Sequence, residues 1–269
     1  MFVFIPQGGL CNRMRSLDSA MAIAQAAGVE LVVEWYKDPN LMSEKFENIF
    51  EMPSDINKII TKNYMGPLGK LQKTIQKRLN KIKYKNCFYE KDLVLFLDGG
   101  GDLSELAKSG SLCIASCAHF YKDPPFFQKF RPVAAITKKV NEIMSDSNNV
   151  IGIHIRRDDH IEAIKRSPLE LFEKAMNEEI SNHSDVKFFI ATDSVETEDQ
   201  LKNLYGDRIL THPKSSLDRD DVAAIKDAMI DLYCLSETSK IIGSYGSSFS
   251  DVASQIKGIE LVILDMERT

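Results

Sequence analysis

The sequence predicts an α/β protein made of doubly wound parallel sheets, and three observations lead there. Short β-branched runs alternate with helical periodicities along most of the chain. The first strand, residues 2–5, enters a glycine turn, a helix and a second strand, which is half of a doubly wound sheet. Residues 150–155 form an apolar run that stops abruptly at Arg156, Arg157, Asp158, Asp159 and His160. Open α/β sheets look like this where a strand delivers functional groups to its carboxyl edge.

Composition sets the outer bounds. The 269 residues suffice for one large or two moderate domains with full cores. A hydrophobic share of 43% with 27% charged residues is ordinary for a soluble globular chain. The net charge of −5 argues against nucleic acid as a partner. Met1 leads straight into a strand with no signal-peptide pattern, and no apolar run approaches a membrane span. The cysteines (Cys11, Cys87, Cys113, Cys117, Cys234) are odd in number and scattered, which favours reduced thiols and a cytoplasmic location. Cys113 and Cys117 lack a second pair at zinc spacing and are read as core thiols.

In the first half, Gly8 and Gly9 follow the first strand, and a helical pattern runs over residues 14–27 with Gly28 as its C-terminal cap. Residues 29–35 are the second strand. Free N–H groups at such a helix start suit a phosphate or a sugar hydroxyl, although a plain βα turn looks the same. Residues 62–91 are rich in lysine, and Leu68, Leu71, Ile75, Leu79 and Ile82 recur at helical spacing. The pattern leaves open a helix lying on an anionic membrane, one receiving an acidic partner, and a solvated helix packed on its own domain. Gly99–Gly101 reads as a turn and residues 111–116 as a strand. Pro124, Pro125 and Pro132 bracket an aromatic segment, which places a domain boundary near residue 133, between 1–133 and 134–269.

The second half alternates cleanly. Helix 133–144 precedes the central strand, and Ser167 and Pro168 read as the N-cap and first position of another helix. Residues 186–191 are a strand ending in Thr192, Asp193 and Ser194, followed by helix 196–204 and a short strand, 208–210. A long helix covers about 218–237, and strand 240–243 leads through Ser244–Ser248 into a helix from Phe249. Residues 260–264 close the pattern.

The two-residue period of a strand sends His154 and Arg156 to one face and Arg157 to the other. Tyr245, Gly246, Ser247 and Ser248 make a second helix-start anion site, with an ordinary serine cap as the alternative. Asp231 borders a buried stripe, where a carboxylate needs a partner. Guanine, with its two adjacent donors, supplies one; a basic neighbour is the other option.

Taken together, these blocks resemble the fucosyltransferase superfamily of α1,6-fucosyltransferases, nodulation fucosyltransferases and protein O-fucosyltransferases. His154-Ile155-Arg156-Arg157-Asp158-Asp159 is similar to its H-x-R-R-x-D motif, and Ala191-Thr192-Asp193-Ser194 to its A-T-D-[DS] strand end. Asp231–Ser236 with Gly243–Ser248 resembles its D-x-x-x-L-S … S-S segment, and Gly8–Arg13 its first glycine loop. The resemblance implies a GT-B glycosyltransferase, with two Rossmann-like domains facing across a cleft. It further implies an inverting enzyme that uses GDP-fucose without a metal or other cofactor. By position, Arg156 would hold the β-phosphate, His154 and Asp231 the guanine, and Ser247 and Ser248 phosphate. Asp193, Tyr245 and Gly246 join this donor set, and Gly9, Cys11 and Asn12 would face the diphosphate or fucose.

The acceptor half has no motif to align, so the general base stays open among Asp159, His160 and Glu162, with Asp159 equally a partner for Arg157. The implied acceptor is a glycan or lipid-linked oligosaccharide, with residues 68–83 as a peripheral membrane contact. Competing readings are a transferase using another GDP-hexose, a non-catalytic GDP-sugar-binding protein, and a sugar-nucleotide epimerase.

Overall fold

The computed structural model describes residues 1–39, 41–121, 127–145, 149–158, 160–216 and 221–267. Among these, two five-stranded sheets carry the fold, and every strand pairing in them is parallel. The first sheet holds β1 (Phe2–Pro6), β2 (Leu31–Lys37), β3 (Lys58–Asn63), β4 (Asn86–Tyr89) and β5 (Leu112–Ser116) in the order β3-β2-β1-β5-β4. The second holds β6 (Val150–Ile155), β7 (Lys187–Thr192), β8 (Ile209–Leu210), β9 (Lys240–Ser244) and β10 (Glu260–Leu264) in the order β10-β9-β6-β7-β8. In each, the chain leaves a central strand to one side and later returns to the other. This is the α/β, doubly wound Rossmann-like class read from the sequence. It creates a switch point at the carboxyl ends of β1 and β5, and another at those of β6 and β9.

The helices are α1 (Leu10–Ala27), α2 (Gly69–Lys83), α3 (Glu90–Asp98), α4 (Leu103–Lys108), α5 (Ala134–Ile143), α6 (Ile161–Arg166), α7 (Leu169–Asn182), α8 (Val195–Tyr205), α9 (Val222–Ser236) and α10 (Ser248–Lys257). The chain divides into two compact units, Met1–Val133 with Asp218–Ile225, and Ala134–Leu217 with Lys226–Thr269. Among the described residues, no helix is long and apolar enough to cross a membrane.

Strand alternation decides which helix covers which face. In β6, Ile151, Ile153 and Ile155 pack with Phe172 and Met176 of α7 and Leu201 of α8. Gly152 points the other way; a β-carbon there would lie 2.9 Å from both Leu235 Cδ2 and Thr238 Oγ1. The missing side chain is what lets α9 approach β6 this closely.

Several elements differ from the sequence reading. α1 starts at Leu10, one turn before the predicted start at Met14, with Leu10, Cys11 and Arg13 already buried in its first turn. Pro168, not Ser167, takes the N-cap position of α7. Ser167 is buried, with its hydroxyl donating to the Leu264 carbonyl and accepting from the Tyr245 N–H at 2.8 Å. That tertiary pairing outcompetes a local cap. The sequence reading lacks β3, β4, α3, α4 and α6; β3 and β4 are sheet-edge strands with a mixed polar composition. The segment at Pro124–Phe126 and the acidic run at Asp218–Asp220 lie outside the described residues.

Candidate functional site

At the switch point of the second sheet the ends of β6 and β9 are tied together. The Arg156 N–H donates to Ser244 Oγ at 3.0 Å, and that hydroxyl lies 3.4 Å from the His154 carbonyl. Around this tie the polar side chains divide by face. The His154 ring is buried and stacks on Phe249 of α10, with centroids 4.9 Å apart. The Arg157 guanidinium lies on the opposite face, 5.9 Å from the ring of Phe172.

His154 is neutral in the fold: burial, reinforced by the charge of Arg156, pushes its pKa down to about 3. Its Nδ1 atom is buried with no hydrogen-bond partner among the described residues. Such an atom costs about 1–3 kcal/mol unless something reaches it.

Asp193, just past β7, works on the arginines. Its Oδ1 accepts the Arg157 N–H at 2.7 Å, and its Oδ2 lies 3.2 Å from Arg156 NH1. The Arg157 guanidinium donates to the Arg156 carbonyl at 3.0 Å. Asp193 therefore shapes the Arg156–Arg157 corner, and the Arg156 side chain remains partly exposed.

Asp231 is buried on α9, and burial raises its pKa to about 7, against the lowering influence of Lys214. Lys214 Nζ lies 3.4 Å from Asp231 Oδ2 and 3.2 Å from Glu198. So a basic neighbour exists, yet Asp231 Oδ1 has no hydrogen-bond partner among the described residues. Leu235, one helical turn further along α9, meets Gly152, and His154 lies two strand residues beyond Gly152. A turn of helix and two strand residues each span about 5–7 Å, so Asp231 and His154 sit at a similar height on the same face of the sheet.

The turn after β9 is built for a helix start. Gly246 has φ +67°, a left-handed conformation suited to glycine, and Ser247 caps α10 through the Phe249 N–H at 3.3 Å. Ser248 is the first residue of α10. The Tyr245 ring is covered by Arg166, whose guanidinium carbon is 3.7 Å from the ring centroid, so Tyr245 has a packing role here. His160 sits beside Gly246 and caps α6, its Nδ1 accepting the Ala163 N–H at 3.0 Å. An Nδ1 that accepts places the ring proton on Nε2, so this tautomer donates from its remaining nitrogen. Asp159 lies outside the described residues.

The glycine turn of the first unit is organised by a residue the sequence reading did not single out. Arg13 is fully buried: Nε donates to the Gly8 carbonyl at 2.8 Å, NH1 to the Tyr36 carbonyl at 2.6 Å, and NH2 to Asp38 at 3.2 Å. Burial lowers its pKa to about 10, with Asp38 opposing the shift. Gly8 has φ +80°, and Gly9 caps α1 with extended backbone and no side-chain cap bond, which leaves the first-turn N–H groups without a side-chain cap. Cys11 is buried and Asn12 half-buried in that turn. Arg13 could have been suspected from an arginine placed between apolar positions of a core helix; Lys214 and Ser244 carry no such signal. Among the described residues, no group of three His, Cys, Asp or Glu side chains is placed to hold a metal ion.

No family model matches the chain, and no curated protein matches it by sequence. Solved structures do. An α-1,6-fucosyltransferase, NodZ, soaked with GDP-fucose is 20% identical, with a TM-score of 0.63 over 95% of this chain and 92% of that one. Fucosyltransferase NodZ from Bradyrhizobium is 22% identical, with a TM-score of 0.61 over 94% and 91%. POFUT1 in complex with GDP-fucose is 14% identical, with a TM-score of 0.55 over 98% and 97%. At these identities the likeness establishes architecture: the chain has the two-sheet GT-B fold of those fucosyltransferases.

Proposed function

We propose that this protein transfers fucose from GDP-fucose to a hydroxyl of a saccharide acceptor, inverting the anomeric centre without a metal. The observation that carries the reading is a pair of buried polar atoms without hydrogen-bond partners among the described residues, His154 Nδ1 and Asp231 Oδ1, in the unit that also presents Arg156. Guanine offers adjacent N1–H and N2–H donors to a carboxylate. Arg156 offers planar, charge-assisted bonds to a diphosphate. The N-terminal end of α10, with Ser247 and Ser248, adds backbone donors. Fucosyltransferases of the same fold hold GDP or GDP-fucose. As the bond from C1 to the phosphate oxygen breaks, negative charge grows on GDP, and contacts from Arg156 strengthen in the transition state. A guanidinium and a helix end can supply that stabilisation, which is why no metal is invoked. With Nδ1 of His160 committed to its cap, the base for the acceptor hydroxyl falls to Asp159 or Glu162, or to a group on the acceptor side.

The acceptor side includes a membrane contact. Leu68, Leu71, Ile75, Leu79 and Ile82 form one stripe along α2 and are 48–83% exposed. The helix carries six cations and no acid, so it repels a second copy of itself and suits an anionic bilayer surface.

Thermal stabilisation by GDP-, UDP- and dTDP-sugars, followed by a transfer assay with EDTA present, tests the donor and the metal. The expected result is stabilisation by GDP and GDP-fucose only, EDTA-resistant transfer, and a fall of about 10²–10³ in kcat for Arg156→Ala. Equal stabilisation by UDP-sugars, or near-normal turnover of Arg156→Ala, would overturn the reading. GDP binding with no transfer over a broad acceptor panel would favour a binding protein.

A further inference from the structure

The chain passes from β3, at one edge of the first sheet, to β4, at the other, through α2, and this helix sits with its stripes reversed. Its apolar stripe faces solvent. Its lysine stripe, Lys70, Lys73, Lys77 and Lys81, lines a cavity of about 580 Å³, with Lys73 half-buried and the other three solvent-exposed. A volume of that size falls in the range of small-ligand sites. Lys91, the ring of Tyr89 and Gln7 complete its character, and Gln7 immediately precedes the Gly8–Gly9 turn.

The charge balance of the cavity is one-sided. Lys73 pairs with Asp38 at 2.8 Å, and Lys81 with Asp92 at 3.2 Å. Among the described residues Lys70, Lys77 and Lys91 have no ion-pair partner. The remaining wall carboxylate, Glu90, already accepts the Cys117 N–H at 3.1 Å. Lysines three and four residues apart on one helix face repel one another. Burial alone would rotate the helix by half a turn and hide the leucines, whereas here Lys70, Lys77 and Lys81 are solvent-exposed on the cavity side. This arrangement is held with Lys73 tied to Asp38, the same aspartate that anchors Arg13 beneath the glycine turn.

The structure assigns this cavity to an anionic saccharide, the negatively charged part of the acceptor. Lys70, Lys77 and Lys91 would neutralise a carboxylate or a phosphate, and the Tyr89 ring gives a flat face to the C–H side of a pyranose. Lys77 Nζ lies 4.4 Å from the Tyr89 ring centroid, so charge and ring present one continuous surface. Only the word acceptor rests on the transferase reading; the preference for an anionic sugar is measurable without any donor.

Calorimetric titration of the full chain with trigalacturonate, N-acetylglucosamine 1-phosphate and neutral chitotriose tests the assignment, repeated on the K70Q/K77Q/K91Q variant. At least one anionic saccharide should bind at least about tenfold more tightly than chitotriose, and the variant should lose at least about tenfold of that affinity. The two anionic arms distinguish a carboxylate from a phosphate. Equal binding of chitotriose, no loss in the variant, no heat from either anion, or inorganic phosphate binding as tightly as the sugar phosphate would each overturn it. GDP-induced thermal stabilisation, measured in parallel on both proteins, reports that the variant is folded. If GDP stabilises neither protein, the donor reading fails and the cavity result stands by itself.

Discussion

Two buried groups of the second unit, His154 and Asp231, are held in the protonation states that burial favours, and both make pH a useful probe. His154 has a folded pKa near 3, below the usual 6.5, so the native chain stays neutral while the unfolded chain takes up a proton. Stability from this group is therefore complete above about pH 6.5 and falls as the pH drops toward 3. Asp231 runs the other way. Its folded pKa of about 7 exceeds the usual 3.8, so its contribution is complete below 3.8 and is lost as the pH rises toward 7. A guanine accepted by Asp231 needs the ionised carboxylate, and binding below neutral pH must then expel a proton. GDP affinity should fall by up to about tenfold for each pH unit below 7, with buffer-dependent calorimetric heats. Asp231→Asn should flatten that dependence and weaken GDP more than UDP. An unchanged pH slope in the variant would remove Asp231 from the base-recognition role.

At the scale of elements, the clearest constraint is the contact between β6 and α9. A β-carbon at Gly152 meets Leu235 and Thr238 at 2.9 Å, and the Thr238 hydroxyl is already committed to the Leu235 carbonyl at 2.7 Å. Gly152→Val would push α9, and Asp231 with it, away from the sheet. The expected cost is about 1–3 kcal/mol in denaturant unfolding, with a disproportionate loss of GDP affinity. Loss of stability with native GDP binding would show that α9 does not position the nucleotide. Legibility also varied by element. β1 and β6 were plain because central strands of a parallel sheet are buried on both faces and read as continuous apolar runs. β3, with the sequence Lys58-Ile59-Ile60-Thr61-Lys62-Asn63, and β4, only four residues long, were missed because an edge strand needs no such run.

Over the whole molecule, a net charge of −5 coexists with a single helix bearing six cations and an exposed apolar stripe. Membrane attraction should therefore be local to α2 and sensitive to salt. The chain should sediment with vesicles containing phosphatidylserine and not with purely zwitterionic ones. Replacing Leu71, Ile75 and Leu79 by Gln should abolish that binding while leaving the melting temperature nearly unchanged, because these side chains are already in water. Undiminished binding by this variant would refute the interfacial role of the stripe.

The sequence by itself determined the α/β class, the central strands, and the identity of the charged cluster after β6, because periodicity and strand-end composition are local properties. It also marked α2 as amphipathic, yet could not say which face the fold would bury. Only the tertiary structure decided that the lysines line a cavity while the leucines face solvent, that Lys214 reaches Asp231, and that Nδ1 of His160 is occupied by a helix cap. Those outcomes depend on contacts between residues distant in the chain, or on the direction of a side chain. Hydrophobic spacing along the sequence carries neither.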